Sequence, residues 1–343
     1  MVVQLMARWR RASLIRDLRS NPLKMKKVPT TTALNSSKKK PKLVKQSDSS
    51  ESVYFYSDGL RLSGCFTAAG NAKRDQRLPT IICLHGYSGR KDIYMPSYVR
   101  ELTQAGYNTL DFFHRGFGDS AGIRLRNNPW EQVADTMSAL IYLQQRAEVD
   151  PQRIALYGTS FGGTIAIQAA AQSTDFKCVV SVGSPANVGR SFRSKRTYGE
   201  WLDWEDELKE DRIRRVMTGQ SKRVPYGTLV PSGRAERDAI DTMYKTAEGY
   251  PEGYPMESYD LGTVFVPEEN ASLIAPRACL FIHAERDTMV PLSEAQSFYD
   301  HAQEPKRLIV LPKANHVDVY EPRNPKTFLV VIGHMKAFFK EYL

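Results

Sequence analysis

Short apolar runs alternate with amphipathic stretches along the chain from about residue 52 onward. Six of these runs have the length and the continuous apolar character of strands that are buried on both faces of a parallel sheet. An earlier pair of runs, 53–57 and 60–67, flanks Asp58-Gly59, and this pattern predicts a β-hairpin. The six predicted buried strands are 80–84, 108–113, 153–157, 177–182, 277–283 and 307–311.

Helical patterns lie between these predicted strands. One helix is predicted to begin at Asn128 with Pro129 in its first turn, and another at Asn324 followed by Pro325. Strands that alternate with helices predict the α/β fold class, here a doubly wound and mostly parallel sheet. The expected buried faces are Val133, Met137, Leu140 and Ile141 in the first helix, and Phe328, Val331, Ile332, Met335 and Phe339 in the second.

The alternation stops between about residues 187 and 274. This stretch is charged and rich in aromatic residues, and its patterns predict helices at 198–217 and 234–246. It is too long for a plain loop, so we interpret it as a helical cap inserted into a domain that spans 51–343.

Positive charge is concentrated at the start of the chain. The net charge is +10, but residues 1–46 contain thirteen Lys and Arg and one acid, so the rest of the chain carries about −2. Nucleic acid is therefore not an expected partner. Residues 1–50 resemble a mitochondrial transit peptide in being rich in Arg and poor in acids, with a short amphipathic helix at 2–18. We nevertheless expect a basic, disordered leader over residues 1–50, or a true start at Met25, in preference to a transit peptide.

Other features of the composition narrow the class of protein. No run of about 18 apolar residues is present, so no transmembrane helix is predicted. No long apolar h-region is present either, so secretion is not expected, and the predicted location is cytoplasmic with a mitochondrial address as the alternative. No metal-ligand cluster is evident, and no cofactor is expected. A homodimer stays open. Four cysteines lie in or beside apolar runs without C-x-x-C spacing, which predicts buried, reduced thiols at Cys65, Cys83, Cys178 and Cys279.

The most informative motif is Gly158-Thr159-Ser160-Phe161-Gly162-Gly163. It follows the predicted strand 153–157 and precedes an apolar helical stretch, which is the context that a G-x-S-x-G nucleophile elbow requires. A sharp turn there needs small residues two positions on either side of the serine. The motif predicts Ser160 as a nucleophile exposed at the N-terminus of a helix.

A serine nucleophile needs a base, and the expected chain order is serine, acid, histidine. His316 follows the last predicted strand, at the carboxyl edge of the sheet where ligands bind in open α/β folds. Asp287 follows the preceding strand and is the predicted acid, with Glu285 as its rival. Asp318 is predicted to make only a local polar contact. The other histidines are predicted to be structural or exposed: His85, His114, His283, His301 and His334.

Two backbone amides are needed to stabilise an oxyanion. Phe161 follows the serine and is predicted to supply one; the loop after strand 80–84 is predicted to supply the other from Tyr87, with Gly86 leaving room for close approach. The loop 111–120 has neither a dinucleotide fingerprint nor a Walker lysine, so we interpret it as a turn braced by Arg115 and Asp119.

These motifs resemble the α/β-hydrolase superfamily over residues 52–343, and within it the prolyl-oligopeptidase and dienelactone-hydrolase-like serine esterases. The matching segments are 85–86, 111–122, 158–163, 285–287 with 290–291, and 315–316. Dienelactone hydrolases proper use cysteine where this chain has Ser160, and the oligopeptidases carry a propeller domain that residues 1–50 cannot form. The resemblance implies a serine esterase whose substrate is a small-molecule ester, thioester or amide.

Alternatives within and outside this class remain open. An acyltransferase or cyclase would use the same acyl-enzyme with a different acceptor. An amidase or aminopeptidase would need acidic residues of the insertion, such as Glu205 or Asp206, to face Ser160. A ligand receptor built on the same fold is the alternative of a different class.

Overall fold

A central sheet organises the computed structural model, which describes residues 49–70, 76–245 and 253–343. The predicted leader helix at 2–18 lies outside these residues. Eight strands run in the order β1-β2-β4-β3-β5-β6-β9-β10. The β1–β2 and β2–β4 pairs are antiparallel. The other five pairs, from β4–β3 through to β9–β10, are parallel. The strands are β1 (Ser50–Ser57), β2 (Leu60–Thr67), β3 (Leu78–Leu84), β4 (Asn108–Phe112), β5 (Val149–Thr159), β6 (Phe176–Val182), β9 (Ala278–Ala284) and β10 (Lys306–Leu311).

Helices cover both faces of this sheet. Strand β3 alternates its side chains between two apolar clusters, with Ile81 and Cys83 in one and Ile82 and Leu84 in the other. The predicted doubly wound, mostly parallel α/β fold is therefore confirmed. The helices that flank the sheet are α1 (Lys91–Gln104), α2 (Pro129–Gln144), α3 (Phe161–Gln172), α9 (Leu292–His301) and α10 (Pro325–Tyr342).

Two predicted helix faces can be compared with the packing. Helix α10 begins after Asn324, whose side chain accepts a hydrogen bond from the Thr327 amide, and all five of its predicted core residues are buried. In α2 the prediction was wrong at Ile141, which is 60% exposed. The buried arc of α2 is centred on Val133 and Leu140, and Ile141 lies about 100° beyond Leu140 around the helix, on the solvent side.

The residues between β6 and β9, here called the β6–β9 segment (183–277), contain several short elements. Their apolar side chains form an aromatic cluster that includes Phe192, Trp204 and Tyr259, all buried. The elements are α4 (Val188–Arg193), α5 (Tyr198–Thr218), β7 (Arg223–Val224), α6 (Tyr226–Leu229), α7 (Arg234–Lys245), β8 (Tyr254–Pro255), α8 (Glu257–Thr263) and a 3₁₀ helix (Pro267–Ile274). Strands β7 and β8 pair in a separate two-stranded sheet.

Two further expectations concern the thiols and the membrane. All four cysteines are free, and Cys83, Cys178 and Cys279 are buried while Cys65 is half-buried. Burial raises the pKa of the Cys83 and Cys178 thiols well above the ordinary value. Across the described parts of the chain, we find no helix with the length and apolarity that crossing a bilayer requires.

Candidate active site

Ser160 lies at the sharp turn between β5 and α3. Its backbone has φ 51° and ψ −128°, a left-handed conformation that non-glycine residues rarely adopt. A Cβ atom at Gly158 would overlap the carbonyl oxygen of Gly162, and one at Gly162 would lie 2.5 Å from the carbonyl oxygen of His85. The predicted need for small residues two positions before and after the serine is confirmed.

Three side chains meet at the carboxyl edge of the sheet. The Ser160 hydroxyl oxygen lies 3.1 Å from His316 Nε2, and His316 Nδ1 lies 2.6 Å from Asp287 Oδ2. His316 begins a 3₁₀ helix (His316–Val319) after β10, and Asp287 follows β9. Parallel strands end at the same edge, so residues that are distant in sequence meet there. The arrangement has the geometry of a nucleophile, a base and an orienting acid.

The Asp287 carboxylate has partners on both oxygens. Its Oδ1 accepts hydrogen bonds from the amides of Met289 and Val290 at 2.9 and 2.7 Å, and Oδ2 faces His316. Burial on its own would raise the pKa of Asp287, but the neighbouring His316, the nearby His283 and the Val290 amide hold it below the ordinary value. Asp287 is thus an ionised acceptor, and His316 Nδ1 carries the proton between them.

The other titratable groups near the edge have structural partners. Glu285 accepts a hydrogen bond from the Lys313 amide at 2.7 Å, and Asp318 accepts one from the Asn315 amide at 2.8 Å, the local contact predicted for it. His283 is buried and its Nε2 donates to the Val290 carbonyl at 2.9 Å. His301 and His334 are exposed. Among the histidines of the described residues, His316 is therefore the one that faces Ser160.

The loop after β3 approaches Ser160 from the opposite side. A Cβ atom at Gly86 would lie 3.3 Å from Ser160 Cβ, and the Gly86 amide donates to the Tyr94 hydroxyl at 2.7 Å. Neither the Tyr87 nor the Phe161 amide donates to another group in the part of the chain that the structure describes. Phe161 is also the first residue of α3, where amides have no partner within the helix. Both amides remain available to an oxyanion.

His85 and Arg115 hold these loops in place. His85 Nδ1 donates to the Gly86 carbonyl, and its Nε2 accepts from the His114 amide. Burial, with the neighbouring His114, lowers the pKa of His85 to about 3, so the ring stays neutral. The prediction that Arg115 and Asp119 brace this region was wrong for Asp119. Asp119 is exposed, and Arg115 binds the buried Asp135 at 2.6 Å because that carboxylate points inward from α2.

Two cavities flank Ser160. The first, here called the His-side cavity, has a volume of about 350 Å³ up to its open mouth and is lined by His316, Tyr94, Ile240 and Tyr320. The second, the Lys-side cavity, has a volume of about 310 Å³ that includes open solvent at its mouth, and it is lined by Phe161, Ser191, Phe192, Lys195, Val230 and Val290. Tyr87, Tyr226 and Met289 contribute to both.

Two of the lining residues were not singled out from the sequence. Ser191 and Lys195 belong to the β6–β9 segment, where Arg190, Arg193 and Arg196 surround them, and nothing in that pattern distinguishes the lysine that faces the cavity from its neighbours. Glu205 and Asp206, by contrast, are exposed on α5 and line neither cavity.

A family model described as serine aminopeptidase, S33, matches residues 75–323. The chain belongs to this family of α/β hydrolases. The hydrolase is 23% identical to a thiohydrolase of Eupenicillium brefeldianum, over 82% of this chain and 90% of that protein. It is 25% identical to the acyltransferase drtE of Aspergillus calidoustus, over 71% of this chain and 81% of that protein. The crystal structure of the α/β hydrolase GrgF from Penicillium sp. sh18 has the same fold, with a TM-score of 0.72 at 21% identity, covering 85% of this hydrolase and 98% of that chain.

Proposed function

We propose that this hydrolase cleaves a carboxylic ester or thioester through an acyl-enzyme on Ser160. The observation that carries the proposal is the continuous chain of contacts from Ser160 Oγ to His316 Nε2 and from His316 Nδ1 to Asp287 Oδ2. In the first step His316 Nε2 takes the hydroxyl proton while Ser160 Oγ forms a bond to the carbonyl carbon. The amides of Tyr87 and Phe161 donate to the resulting oxyanion.

Collapse of the tetrahedral intermediate then breaks the bond to the leaving group. His316 Nε2 returns its proton to the leaving alcohol or thiol, and a water activated by the same nitrogen later releases the acyl group from Ser160. Because the leaving atom must receive this proton from His316, the leaving group belongs in the His-side cavity. The acyl group then belongs in the Lys-side cavity, beside Phe161.

An ester or thioester fits the cavity walls better than a peptide with a free amino terminus. A cationic amine needs a carboxylate partner where it is buried. The described residues that line the two cavities include Lys195 but neither Asp nor Glu. The walls therefore support carboxylic ester or thioester cleavage over aminopeptidase activity.

Acyl transfer is the second candidate, favoured by the similarity to the acyltransferase drtE. It uses the same acyl-enzyme, and an alcohol or amine replaces water in the second step. Partition between hydrolysis and transfer, measured with added alcohols of graded size, separates the two functions. A transferase yields mainly the new ester at millimolar acceptor, whereas a hydrolase yields the free acid.

Fluorophosphonate labelling tests the proposed nucleophile. The wild-type protein should react stoichiometrically and lose its turnover of p-nitrophenyl esters, whereas Ser160→Ala should neither react nor turn over. Ser184→Ala is a matched control, because Ser184 is a buried serine whose Oγ donates to the Val182 carbonyl. Equal labelling of wild type and Ser160→Ala would contradict the proposal, and a folded wild type that resists the probe would favour a receptor.

A further inference from the structure

Lys195 is the one cationic side chain among the described residues that line the Lys-side cavity. It is half-buried, and its ammonium donates to the Ser191 carbonyl at 3.1 Å and to Ser191 Oγ at 3.2 Å. An ammonium has three N–H donors, so one remains for a ligand. Ser191 Oγ accepts from Lys195, which leaves its own hydrogen for a second acceptor.

The two carboxylates that raise the pKa of Lys195, Asp287 and Glu294, have hydrogen-bond partners of their own. Asp287 faces His316 and accepts two amides. Glu294, from α9, accepts from the amides of Ala186 and Asn187 at 2.9 Å and binds the Arg190 guanidinium at 2.8 Å. Within the described residues, no carboxylate lies within ion-pair distance of Lys195 Nζ. The cavity thus contains a cation without a counterion of its own.

The electrostatics agree with this geometry. Burial lowers the pKa of Lys195 to about 8; Asp287 and Glu294 act in the opposite direction and Arg196 lowers it further. Lys195 is therefore still mainly an ammonium at neutral pH. A partly buried charge without a counterion is unfavourable in the empty protein, and an anionic ligand lowers that cost.

We propose that Lys195 and Ser191 form a subsite for an anionic oxygen group, a carboxylate, at the far end of the substrate's acyl chain. This inference rests on the proposed function, which puts the acyl group in the Lys-side cavity. Phe192, Val230 and Val290 supply apolar walls for the chain between the scissile carbonyl and that carboxylate. The expected substrate class is a half-ester or half-thioester of a dicarboxylic acid.

Paired esters test the subsite. We would compare kcat/KM for the mono-p-nitrophenyl esters of adipic and suberic acid with p-nitrophenyl hexanoate and octanoate, which lack the carboxylate. Wild type should prefer the anionic ester of each pair, and Lys195→Met should lower this preference about tenfold or more, as expected for a charge-assisted hydrogen bond. Ser191→Ala should lower it by a smaller factor, about threefold.

Lys209→Met is the matched control, because Lys209 is an exposed lysine of α5 and its loss removes the same charge. It should leave the preference as in wild type. An anionic preference that survives Lys195→Met, or a wild type without any preference, would overturn the subsite. So would an equal loss on both members of each pair, since that result means damage to the cavity. In all three cases the proposed function is still supported if wild type turns over neutral esters and Ser160→Ala does not.

Discussion

Asp287 at the carboxyl edge of the sheet and Lys195 in the β6–β9 segment are two buried or partly buried charges with different surroundings. At the edge, Asp287 has a partner on each oxygen and His316 is fixed between it and Ser160. In the segment, the Lys195 ammonium donates hydrogen bonds to Ser191 and has no carboxylate within ion-pair distance among the described residues. Groups that are paired at rest hold the reacting atoms in position. A charge without a counterion at rest is available to an anionic substrate. In the proposed function, the edge would therefore supply the reaction and Lys195 the selectivity.

The largest expected effect comes from the edge. Asp287→Asn keeps the shape but replaces the acceptor that fixes the His316 tautomer, so kcat should fall about 10³- to 10⁴-fold with little change in the free energy of unfolding. Glu285→Gln is the control, because Glu285 binds the Lys313 amide and not His316. Esterase kinetics on a neutral p-nitrophenyl ester measure both. A larger loss in Glu285→Gln would exchange the roles of the two acids.

Backbone packing at the edge gives the next effect. Gly162→Ala should destabilise the fold by about 2–4 kcal/mol, because the new Cβ would lie 2.5 Å from the His85 carbonyl oxygen. Gly333→Ala is the matched control in α10. No atom lies within 4 Å of its Cβ position, and the change should stabilise the helix by about 0.5–1 kcal/mol. Urea unfolding followed by circular dichroism measures both. Equal stability of the two variants would contradict the tight packing of the elbow.

The smallest expected effect is the pH dependence of the preference for anionic esters, which tests the role of Lys195. Lys195 recognises an anion only while it is protonated, and its pKa is lowered to about 8. The preference for an anionic over a neutral ester should therefore be constant between about pH 6 and 7, where the substrate carboxylate is ionised, and fall by up to about tenfold as the pH rises through 8. The ratio of kcat/KM for the anionic ester to kcat/KM for the neutral ester cancels the titration of the catalytic groups that both esters share. In Lys195→Met this ratio should not change with pH. A wild-type ratio that stays constant to pH 10 would exclude the ammonium as its cause.

The features that could be predicted from the sequence are those with a local pattern. The strands, the Gly158–Gly163 motif and the order of Ser160, Asp287 and His316 follow from local patterns, because a strand, a sharp turn and a loop at one sheet edge each leave a signature in consecutive residues. Ile141 was assigned to the core because a helix pattern fixes which residues share a face but leaves the rotation of that face uncertain when apolar positions cover a wide arc.

Side-chain contacts between residues that are distant in the sequence leave no pattern in consecutive residues, so they could not be predicted. Arg115 binds Asp135, twenty residues away on another element, and the sequence offered the nearer Asp119 instead. Lys195 is one of several cations in this stretch, and the direction of its side chain depends on how α4 packs in the fold. Glu294 on α9 helps to fix that packing through Arg190 and the amides at the start of α4, and it is distant in the chain.

Trapping the covalent intermediate tests the central claim most directly. Wild-type protein would be mixed with a p-nitrophenyl ester, quenched in acid within the first turnover, digested and mapped by mass spectrometry. We predict one acyl group on the peptide that contains Ser160, formed with a stoichiometric burst of p-nitrophenol, and no adduct in Ser160→Ala. Two results would contradict the assignment of Ser160 as the nucleophile. The first is an acyl group on Ser191 or Lys195. The second is turnover by wild type without any adduct or burst, together with turnover by Ser160→Ala.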